Sequence, residues 1–210
     1  MLILHGYWLS LAAYRVRAAL KLKGIAFEER MHDLSAGHHQ LPAFRALNPA
    51  GAVPALEGGT PEPLTQSLEI LEWLEETYPA TPLLPPDAAG KARVRAMFLL
   101  AAADTHPLAV PRVQKRLAEQ FGADAAAGRE WAAHWYREGL KAYEGLLHDG
   151  ATRCHNETLS LADLALASHL VGAERFGVDL AAFPRVAAVE SSLFKLPGIE
   201  SSHPRHQEGA

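Results

Sequence analysis

Residues 48–76 read NPAGAVPALEGGTPEPLTQSLEILEWLEE. This run combines a Val-Pro step, a Gly-Gly turn between two short strand-like segments, a Gln-Ser pair and an amphipathic segment. The segment from Ser67 to Tyr78 is predicted to be a helix because apolar residues recur at helical spacing, at Leu68, Leu71 and Leu74. A Gln-Ser pair between a strand end and a helix start favours a pocket for a small peptide-like ligand with a free α-amino acid end.

The residues before this run also show the strand and helix signals of an α/β domain. Strand and helix signals alternate in the order βαβ, α, ββα, which is typical of a small α/β domain. The strands are predicted near residues 2–7, 27–32, 53–56 and 62–65, and the helices near 10–23, 40–47 and 67–78. Pro63 lies in the last strand and predicts an edge strand, since proline cannot donate to a sheet ladder.

The chain after this run changes character. Residues 79–90 read PATPLLPPDAAG and hold four of the fourteen prolines, which is typical of a linker. Beyond them the sequence predicts only helices, near 89–120, 124–148, 160–176 and 184–195, followed by a loose polar tail. We therefore predict a first domain at 1–79, a linker at 80–90 and an all-helical second domain at 91–210.

Composition narrows the class of function. The 210 residues are 49% hydrophobic and 21% charged, and a net charge of −4 gives no general case for nucleic-acid binding. No apolar run approaches the ~20 residues that span a bilayer, and the opening MLILHGYW reads as a strand and not as a signal peptide. Cys154 is the only cysteine, so a cytoplasmic location is expected. No Cys/His cluster predicts a metal, and the adjacent His38 and His39 read as solvated loop residues.

Three positions combine polar groups with element ends, and each also has an ordinary structural explanation. A cis Val53-Pro54 bond would expose the Val53 backbone to a peptide laid alongside, although a trans proline is the more frequent case. Gln66 and Ser67 begin a helix whose free N–H groups and dipole favour a carboxylate, or else Ser67 simply caps that helix. Ser10, after the first strand, could donate its hydroxyl to an anion such as a thiolate, or serve as a cap.

Together and in this order, these stretches resemble the glutathione transferase superfamily, and most closely its zeta class. The resemblance spans nearly the whole chain and is carried by YRVRAALKLKGIAFEE (14–29), ALNPAGAVPALE (46–57), QSLEILEWLEETYP (66–79), LLPPD (83–87), SLADL (160–164) and AERFGVDLAAFP (173–184). It implies a thioredoxin-like N-terminal domain followed by an all-helical C-terminal domain, with glutathione as cofactor. SLADL is similar to the superfamily's structural capping box, with Ser160 as N-cap and Asp163 at the third helical position.

The resemblance also implies roles for individual residues. Val53 would contact the cysteinyl backbone of glutathione, Gln66 and Ser67 would hold its γ-glutamyl end, and His39 would reach its glycyl carboxylate. Ser10 matches the first Ser of the family's Ser-Ser-Cys-x-Trp-Arg motif and would be the catalytic residue at the thiol. Substrate carboxylates would be bound from the helical domain, by Arg112, Arg175 and, as a further candidate, His106.

The chain departs from the family pattern around Ser10. Residues 10–15 read SLAAYR, so the second Ser and the Cys of the motif are absent. The Arg often found before the first Ser is Leu9, and the Gln often found after Asn-Pro is Ala50. The thiol end of the expected site is therefore more apolar than in the family, while the γ-glutamyl end is intact.

The function implied by the resemblance is a glutathione-dependent cis–trans isomerase of a maleyl keto acid, maleylacetoacetate or maleylpyruvate, in aromatic catabolism. Glutathione would act as a nucleophilic cofactor. Two alternatives stay open. The apolar Leu9, Leu11 and Ala12 favour a transferase that conjugates glutathione to apolar electrophiles, and the lost polar partners would also fit a catalytically weak glutathione-binding dimer. The expected partners are a small-molecule substrate and a second copy of the chain, with no nucleic acid and no membrane.

Overall fold

The computed structural model describes residues 1–210, which form two compact units. The first contains Met1–Pro82 together with Pro197–Ala210, and the second contains Leu83–Leu196. The predicted fold class, a thioredoxin-like domain followed by helices, is confirmed. The predicted limits at 1–79 and 91–210 differ from the two units at the linker and at the carboxyl terminus.

The first unit is built on a four-stranded mixed sheet. Its strands are β1 (Leu2–Gly6), β2 (Phe27–Met31), β3 (Ala55–Glu57) and β4 (Leu64–Thr65), in the spatial order β2-β1-β3-β4. β1 runs parallel to β2, and β3 is antiparallel to both β1 and β4. The helices are α1 (Leu11–Leu22), α2 (Pro42–Leu47) and α3 (Ser67–Thr77), and β4 is the edge strand that Pro63 predicted.

Two amphipathic helices supply much of the core of this unit. α1 packs against α3, and both present fully buried side chains. On α3 these are Ile70, Leu71 and Leu74, so Ile70 takes the core position that the sequence assigned to Leu68, which is half-buried. Burying an aliphatic side chain of this size contributes ~1.5–3 kcal/mol relative to leaving it exposed. The helical spacing therefore predicted the buried face of α3 to within one residue.

The carboxyl-terminal residues belong to the first unit, and not to the second domain in which the sequence prediction placed them. They begin with α10 (Pro197–Glu200). Arg17 of α1, fully buried, donates through Nη1 to the Ser202 carbonyl at 3.1 Å. Its Nε and Nη2 donate to the Glu29 carboxylate, the shortest bond being 2.6 Å. A buried arginine needs acceptors on every side, and the polar tail supplies one that the sequence pattern did not reveal.

The second unit contains helices and no strand. They are α4 (Ala88–Leu99), α5 (His106–Ala109), α6 (Pro111–Phe121), α7 (Ala125–Leu146), α8 (Leu161–Arg175) and α9 (Pro184–Leu193), and a π-helical segment, Leu100–Thr105, joins α4 to α5. The single helix expected at 89–120 is interrupted because the residue before Pro111 takes extended backbone, with Val110 at φ −72° and ψ 155°. None of the helices in the chain combines the length and the apolar character needed to cross a membrane.

The linker is shorter than the sequence predicts. Leu83 is buried in the second unit, and its carbonyl accepts the Leu161 N–H at 2.9 Å. Asp87 is the N-cap of α4, where its Oδ1 accepts the Gly90 N–H at 2.8 Å. The second half of the predicted linker, residues 83–90, is therefore part of the helical unit, because its backbone and caps are already bonded there.

The predicted capping box at the start of α8 is present. The fully buried Asp163 carboxylate accepts the Ser160 N–H, the Ser160 hydroxyl and the Cys154 N–H, each at 2.8 Å. Burial raises the pKa of Asp163, while these three hydrogen bonds oppose that rise. The box thus ties the start of α8 to the loop before it and leaves no polar group of its own unpaired.

Candidate functional site

The register of the sheet directs four connections to one edge of the first unit. His5 in β1 pairs with Arg30 in β2 and with Ala55 in β3, and Ala55 pairs with Thr65 in β4. The loops after β1 and β2, the segment before β3 and the turn after β4 therefore leave the sheet at the same edge. These four segments carry the residues predicted to bind glutathione, namely Ser10, His39, Val53, Gln66 and Ser67. Residues far apart in the sequence thus share one edge of one sheet.

Ser10 is the N-cap of α1, in extended backbone at φ −73° and ψ 114°. Its Oγ accepts the Ala13 N–H at 3.2 Å, and its own N–H donates to the Tyr7 carbonyl at 2.9 Å. A hydroxyl that accepts one bond still has its hydrogen to donate. The capping interpretation is therefore confirmed, and it is compatible with a role as donor to an anion, because the two roles use different parts of the hydroxyl.

Gln66 and Ser67 stand at the start of α3 in an arrangement that capping does not explain. The N-cap is Gln66, whose side chain makes no hydrogen bond to the helix, while Ser67 is the first helical residue and is 7% exposed. Gln66 has φ 65° and ψ 121°, a conformation that an L-residue adopts at a cost of ~1–3 kcal/mol. Strain of this kind clusters at binding sites, and the amide side chain of Gln66 is exposed.

The segment before β3 is held by one buried side chain. Asn48 donates through Nδ2 to the Ala52 carbonyl at 2.6 Å and accepts the Ala50 N–H at 3.0 Å. The Val53-Pro54 peptide bond that follows is cis. Sheet pairing of β3 begins only at Ala55, so the Val53 backbone lies outside the ladder, as a pairing site for a peptide-like ligand requires.

His39 lies in a 3₁₀ turn, His38–Gln40, between β2 and α2. Its Nδ1 is buried and has no hydrogen-bond partner within the protein. Burial lowers the pKa of His39, and the positive charge of Arg45 lowers it further. Buried polar atoms are seldom left unpaired, so the neutral ring fits a site that a bound ligand completes. Together with the free N–H groups at the starts of α1 and α3, this atom makes the edge suitable for a ligand with anionic ends, such as glutathione.

A pair of histidines lies under α2, beside this turn. His5 is 3% exposed, and its Nδ1 lies 2.8 Å from His32 Nε2, while its Nε2 lies 3.0 Å from the Glu57 carboxylate. A carboxylate can only accept, so neutral His5 donates to Glu57 and accepts from His32. Phe44, the buried residue of α2, meets the His32 ring edge-on, with ring centres 4.7 Å apart. α2, the helix that follows the His39 turn, thus packs against a pair of neutral imidazole rings.

This pair predicts a loss of stability on mild acidification. Burial lowers the pKa of His5 and of His32 from the ordinary 6.5. The charges around the two rings modify these pKa shifts. Glu57 and Glu28 favour protonation of His5, whereas Arg30 opposes protonation of both rings. His38 also opposes protonation of His32. The folded state therefore prefers neutral rings, so their contribution is complete above pH ~6.5 and is lost as the pH falls below it.

Thermal unfolding of wild type and His32→Gln tests that contribution. Glutamine preserves a donor toward His5 but does not titrate, so the variant is expected to lose less of its Tm between pH ~7.5 and ~5.5 than the wild type. His148→Gln, at an exposed position of the second unit, is the matched control and should follow the wild type. Equal pH dependence in wild type and His32→Gln would contradict the assignment.

The residues predicted to bind substrate carboxylates lie in the second unit. Arg112 is the second residue of α6 and is exposed, and His106 is the first residue of α5 and is half-buried. Arg175 ends α8, with its Cζ 5.6 Å from the centre of the Phe176 ring. Arg129 of α7 approaches the same ring at 5.9 Å. The sequence did not single out Arg129, because one arginine in an Ala-rich helix gives no signal of the ring it will meet.

Comparisons with known proteins agree on one family. The family model for the glutathione S-transferase N-terminal domain matches residues 9–77. A maleylpyruvate isomerase from a Ralstonia species is 40% identical over 207 residues, which is 97% of each protein. A crystal structure of maleylacetoacetate isomerase from Methylobacterium extorquens, with bound malonate and glutathione, superposes with a TM-score of 0.95 at 44% identity, over 99% of both chains. A holo structure of maleylpyruvate isomerase, a bacterial zeta-class glutathione S-transferase, gives a TM-score of 0.95 at 39% identity, also over 99% of both chains.

Proposed function

Because the chain belongs to the glutathione S-transferase family, and within it to the zeta class, we propose that it is a glutathione-dependent cis–trans isomerase of a maleyl keto acid, maleylacetoacetate or maleylpyruvate. The observation that carries the proposal is the shared sheet edge, where Ser10, Ser67 and an unpaired His39 nitrogen meet the requirements of glutathione. Relatives with these two activities align with nearly the whole chain. A place in aromatic catabolism follows as part of the same proposal.

Glutathione, when bound, supplies a thiolate whose reversible addition makes the cis double bond of the substrate rotatable. The task of the protein is to favour that thiolate, since a thiol of pKa ~8.5 is only ~3% ionised at pH 7. Lowering such a pKa by ~2 units requires ~2.7 kcal/mol of preferential stabilisation of the anion. The Ser10 hydroxyl hydrogen and the N–H groups at the start of α1 can supply stabilisation of this order of magnitude.

The remaining residues bind and orient. Gln66 and Ser67 are proposed to hold the γ-glutamyl end of glutathione, since an amide and the free N–H groups of a helix start complement an α-amino acid. The Val53 backbone is proposed to pair with the cysteinyl residue. Arg112 and Arg175 are proposed for substrate carboxylates, because a guanidinium pairs with a carboxylate through two parallel bonds. His106 is a further candidate for this role.

The proposal is tested by mixing the purified protein with maleylacetoacetate or maleylpyruvate and glutathione, and following formation of the trans product. We expect turnover that depends on both protein and glutathione. A rate no greater than that of free glutathione at the same pH would reject the isomerase assignment. The same preparation assayed with aryl halides and epoxides tests the transferase alternative. For that alternative only Leu9 and Ala12 remain half-exposed, since Leu11 is buried in the core.

Replacing Ser10 by Ala is expected to lower kcat/KM by ~100-fold, because the donor that favours the thiolate is lost. The pH–rate profile should shift to higher pH, which a purely structural change would not cause. Ser10→Gly preserves most of the capping propensity and should show the same shift. Ser191→Ala, in the exposed face of α9, is the control. An unshifted profile in both Ser10 variants would leave Ser10 as a helix cap alone.

Two further expectations accompany this function and stay predictions. A homodimer is expected from the family resemblance, with the first domain of one copy against the helices of the other. A cytoplasmic location is expected from the single cysteine. If the wild type lacks activity but glutathione still raises its Tm, the second alternative, a catalytically weak glutathione-binding dimer, gains support.

A further inference from the structure

A hydrogen-bonded turn, residues 7–10, connects β1 to α1 and ends at Ser10. The Ser10 N–H closes it by donating to the Tyr7 carbonyl at 2.9 Å. Trp8 is the second residue of the turn and is half-buried, and its ring centre lies 5.7 Å from that of Tyr7. Because Trp8 and Ser10 belong to one turn, a change in the backbone at Trp8 changes the direction in which the Ser10 hydroxyl points.

One face of α1 holds the carboxyl-terminal segment, residues 197–210, in the first unit. The donors are Tyr14, Arg17 and Lys21, which are spaced by three and four residues and therefore share a face of the helix. The acceptors are backbone carbonyls of the segment: the Tyr14 hydroxyl donates to Ile199 at 3.3 Å, Arg17 Nη1 to Ser202 at 3.1 Å and Lys21 Nζ to Ser201 at 2.8 Å. Three side chains thus fix the segment to the helix that begins directly after Ser10.

The end of the carboxyl-terminal segment contacts Trp8. Gln207 folds the last residues back, since its Nε2 donates to the Ser201 and His203 carbonyls, each at 2.9 Å. A Cβ atom at Gly209 would lie 3.1 Å from Trp8 Cδ1 and 3.6 Å from its Cγ and Nε1. Gly209 also has φ +97°, which residues with a side chain rarely adopt. Glycine at this position therefore lets the backbone approach the five-membered side of the Trp8 indole ring.

We propose that Trp8 is a positioning residue for Ser10, and that the carboxyl-terminal segment restrains Trp8 through Gly209. The inference rests on the proposed function, in which the Ser10 hydroxyl donates to the thiolate of glutathione. Such a donor acts only when it is aimed at the anion, and a misplacement of about 1 Å can cost ~100-fold in rate. The contacts of Trp8 with Tyr7 and Gly209 restrict its ring and thereby the conformations open to the turn.

Gly209→Val tests the contact, because a β-branched side chain fits neither the positive φ nor the space beside Trp8. Hydrogen exchange of the Ser10 and Ala13 amides, followed by NMR without glutathione, measures how often the turn opens. Exchange should be roughly 5-fold faster in Gly209→Val than in the wild type, within the range of coupling between residues in contact. Gly150→Val is the matched control, since Gly150 has φ +79° and no atom within 4 Å of an added Cβ. It should leave the exchange unchanged.

Trp8→Ala removes the ring through which the carboxyl-terminal segment is proposed to act. It should accelerate the same exchange at least as much as Gly209→Val does. Adding Gly209→Val to Trp8→Ala should then have no further effect, because both changes remove one contact. Additive effects in the double variant, or an unchanged exchange rate in Gly209→Val, would overturn the proposal.

The role toward Ser10 is tested with glutathione itself. The ultraviolet absorbance of its thiolate is followed against pH at saturating glutathione, in the wild type and in Gly209→Val. The curve of the variant should shift to higher pH, with roughly 3-fold less thiolate at a pH below the midpoint, because the donor is less well aimed. A curve identical to that of the wild type would leave Trp8 as a structural residue and overturn the inference alone. Absence of bound glutathione in the wild type would instead reject the proposed function, and the inference with it.

Discussion

Replacing Asp163 by Ala is expected to lower the free energy of unfolding by ~3–5 kcal/mol. The change removes the acceptor for three donors, all at 2.8 Å, and leaves the Ser160 and Cys154 N–H groups buried without partners. It also frees the start of α8, a helix buried over most of its length, from Leu161 to Ala173. For a chain of this size the loss corresponds to a Tm decrease on the order of 10 °C.

The measurement has to allow for two compact units. Because they need not unfold together, urea unfolding is followed by both circular dichroism and tryptophan fluorescence, which would differ if a single transition no longer described the chain. Trp131 and Trp135 lie in α7 of the second unit, whereas Trp8 and Trp73 lie in the first unit, so the fluorescence signal contains contributions from both. The contribution of the second unit is expected to move most, since Asp163 lies in that unit.

Asp124 provides a matched control. It is the N-cap of α7, where its exposed carboxylate accepts only the Ala127 N–H, at 2.8 Å. Asp124→Ala is therefore expected to cost ~1 kcal/mol, the ordinary value for a cap. Asp163→Asn should lose nearly as much as Asp163→Ala, because its NH₂ group would face a donor. Equal losses for the Asp124 and Asp163 alanine variants would refute the buried network as the cause.

Much of the fold was readable because local chemistry and tertiary structure agree. The helical spacing of α3, the edge strand at Pro63 and the capping box at Ser160 each rest on residues close together in sequence. The errors arose where distant partners decide. The position of the tail in the first unit depends on the buried Arg17, 185 positions from its acceptor Ser202, and the limit of the linker depends on the bond between Leu161 and Leu83. No local sequence pattern predicts a hydrogen bond between residues so far apart in the chain.

The two ends of the proposed glutathione site were predictable from the sequence to different degrees. The family motif pointed to Ser10, Gln66 and Ser67, and the sheet register gives a physical reason for their sharing one edge. The burial of His39 Nδ1 was not predictable, because the sequence shows this residue only as one of two adjacent histidines in a loop.

Gln66→Gly is expected to stabilise the protein while weakening its binding of glutathione. Glycine adopts φ 65° and ψ 121° without the clash that a Cβ imposes, so relief of strain should exceed the added entropy of the unfolded chain by ~1 kcal/mol. The amide side chain proposed for the γ-glutamyl end is lost at the same time. A hydrogen bond to a charged ligand group contributes ~1.5–3 kcal/mol, so the Kd for glutathione should rise by roughly 10- to 100-fold. Tm without ligand and titration with glutathione measure the two effects.

Two variants separate the strain from the side chain. Gln66→Ala removes the same amide but retains a Cβ, so it should weaken glutathione binding as much as glycine does without raising the Tm. Asn156→Gly relieves the only other non-glycine residue with positive φ, 52°, in an exposed loop of the second unit, and should leave glutathione binding unchanged. Its gain in stability should be smaller, because asparagine tolerates the left-handed region better than glutamine. If Gln66→Gly bound glutathione like the wild type, the strained residue would have no bearing on the ligand. If it bound more weakly but was no more stable, the distortion at Gln66 would not be stored strain. Opposite signs in the two measurements are the result expected when a protein holds a side chain in an unfavourable conformation because a ligand requires it there.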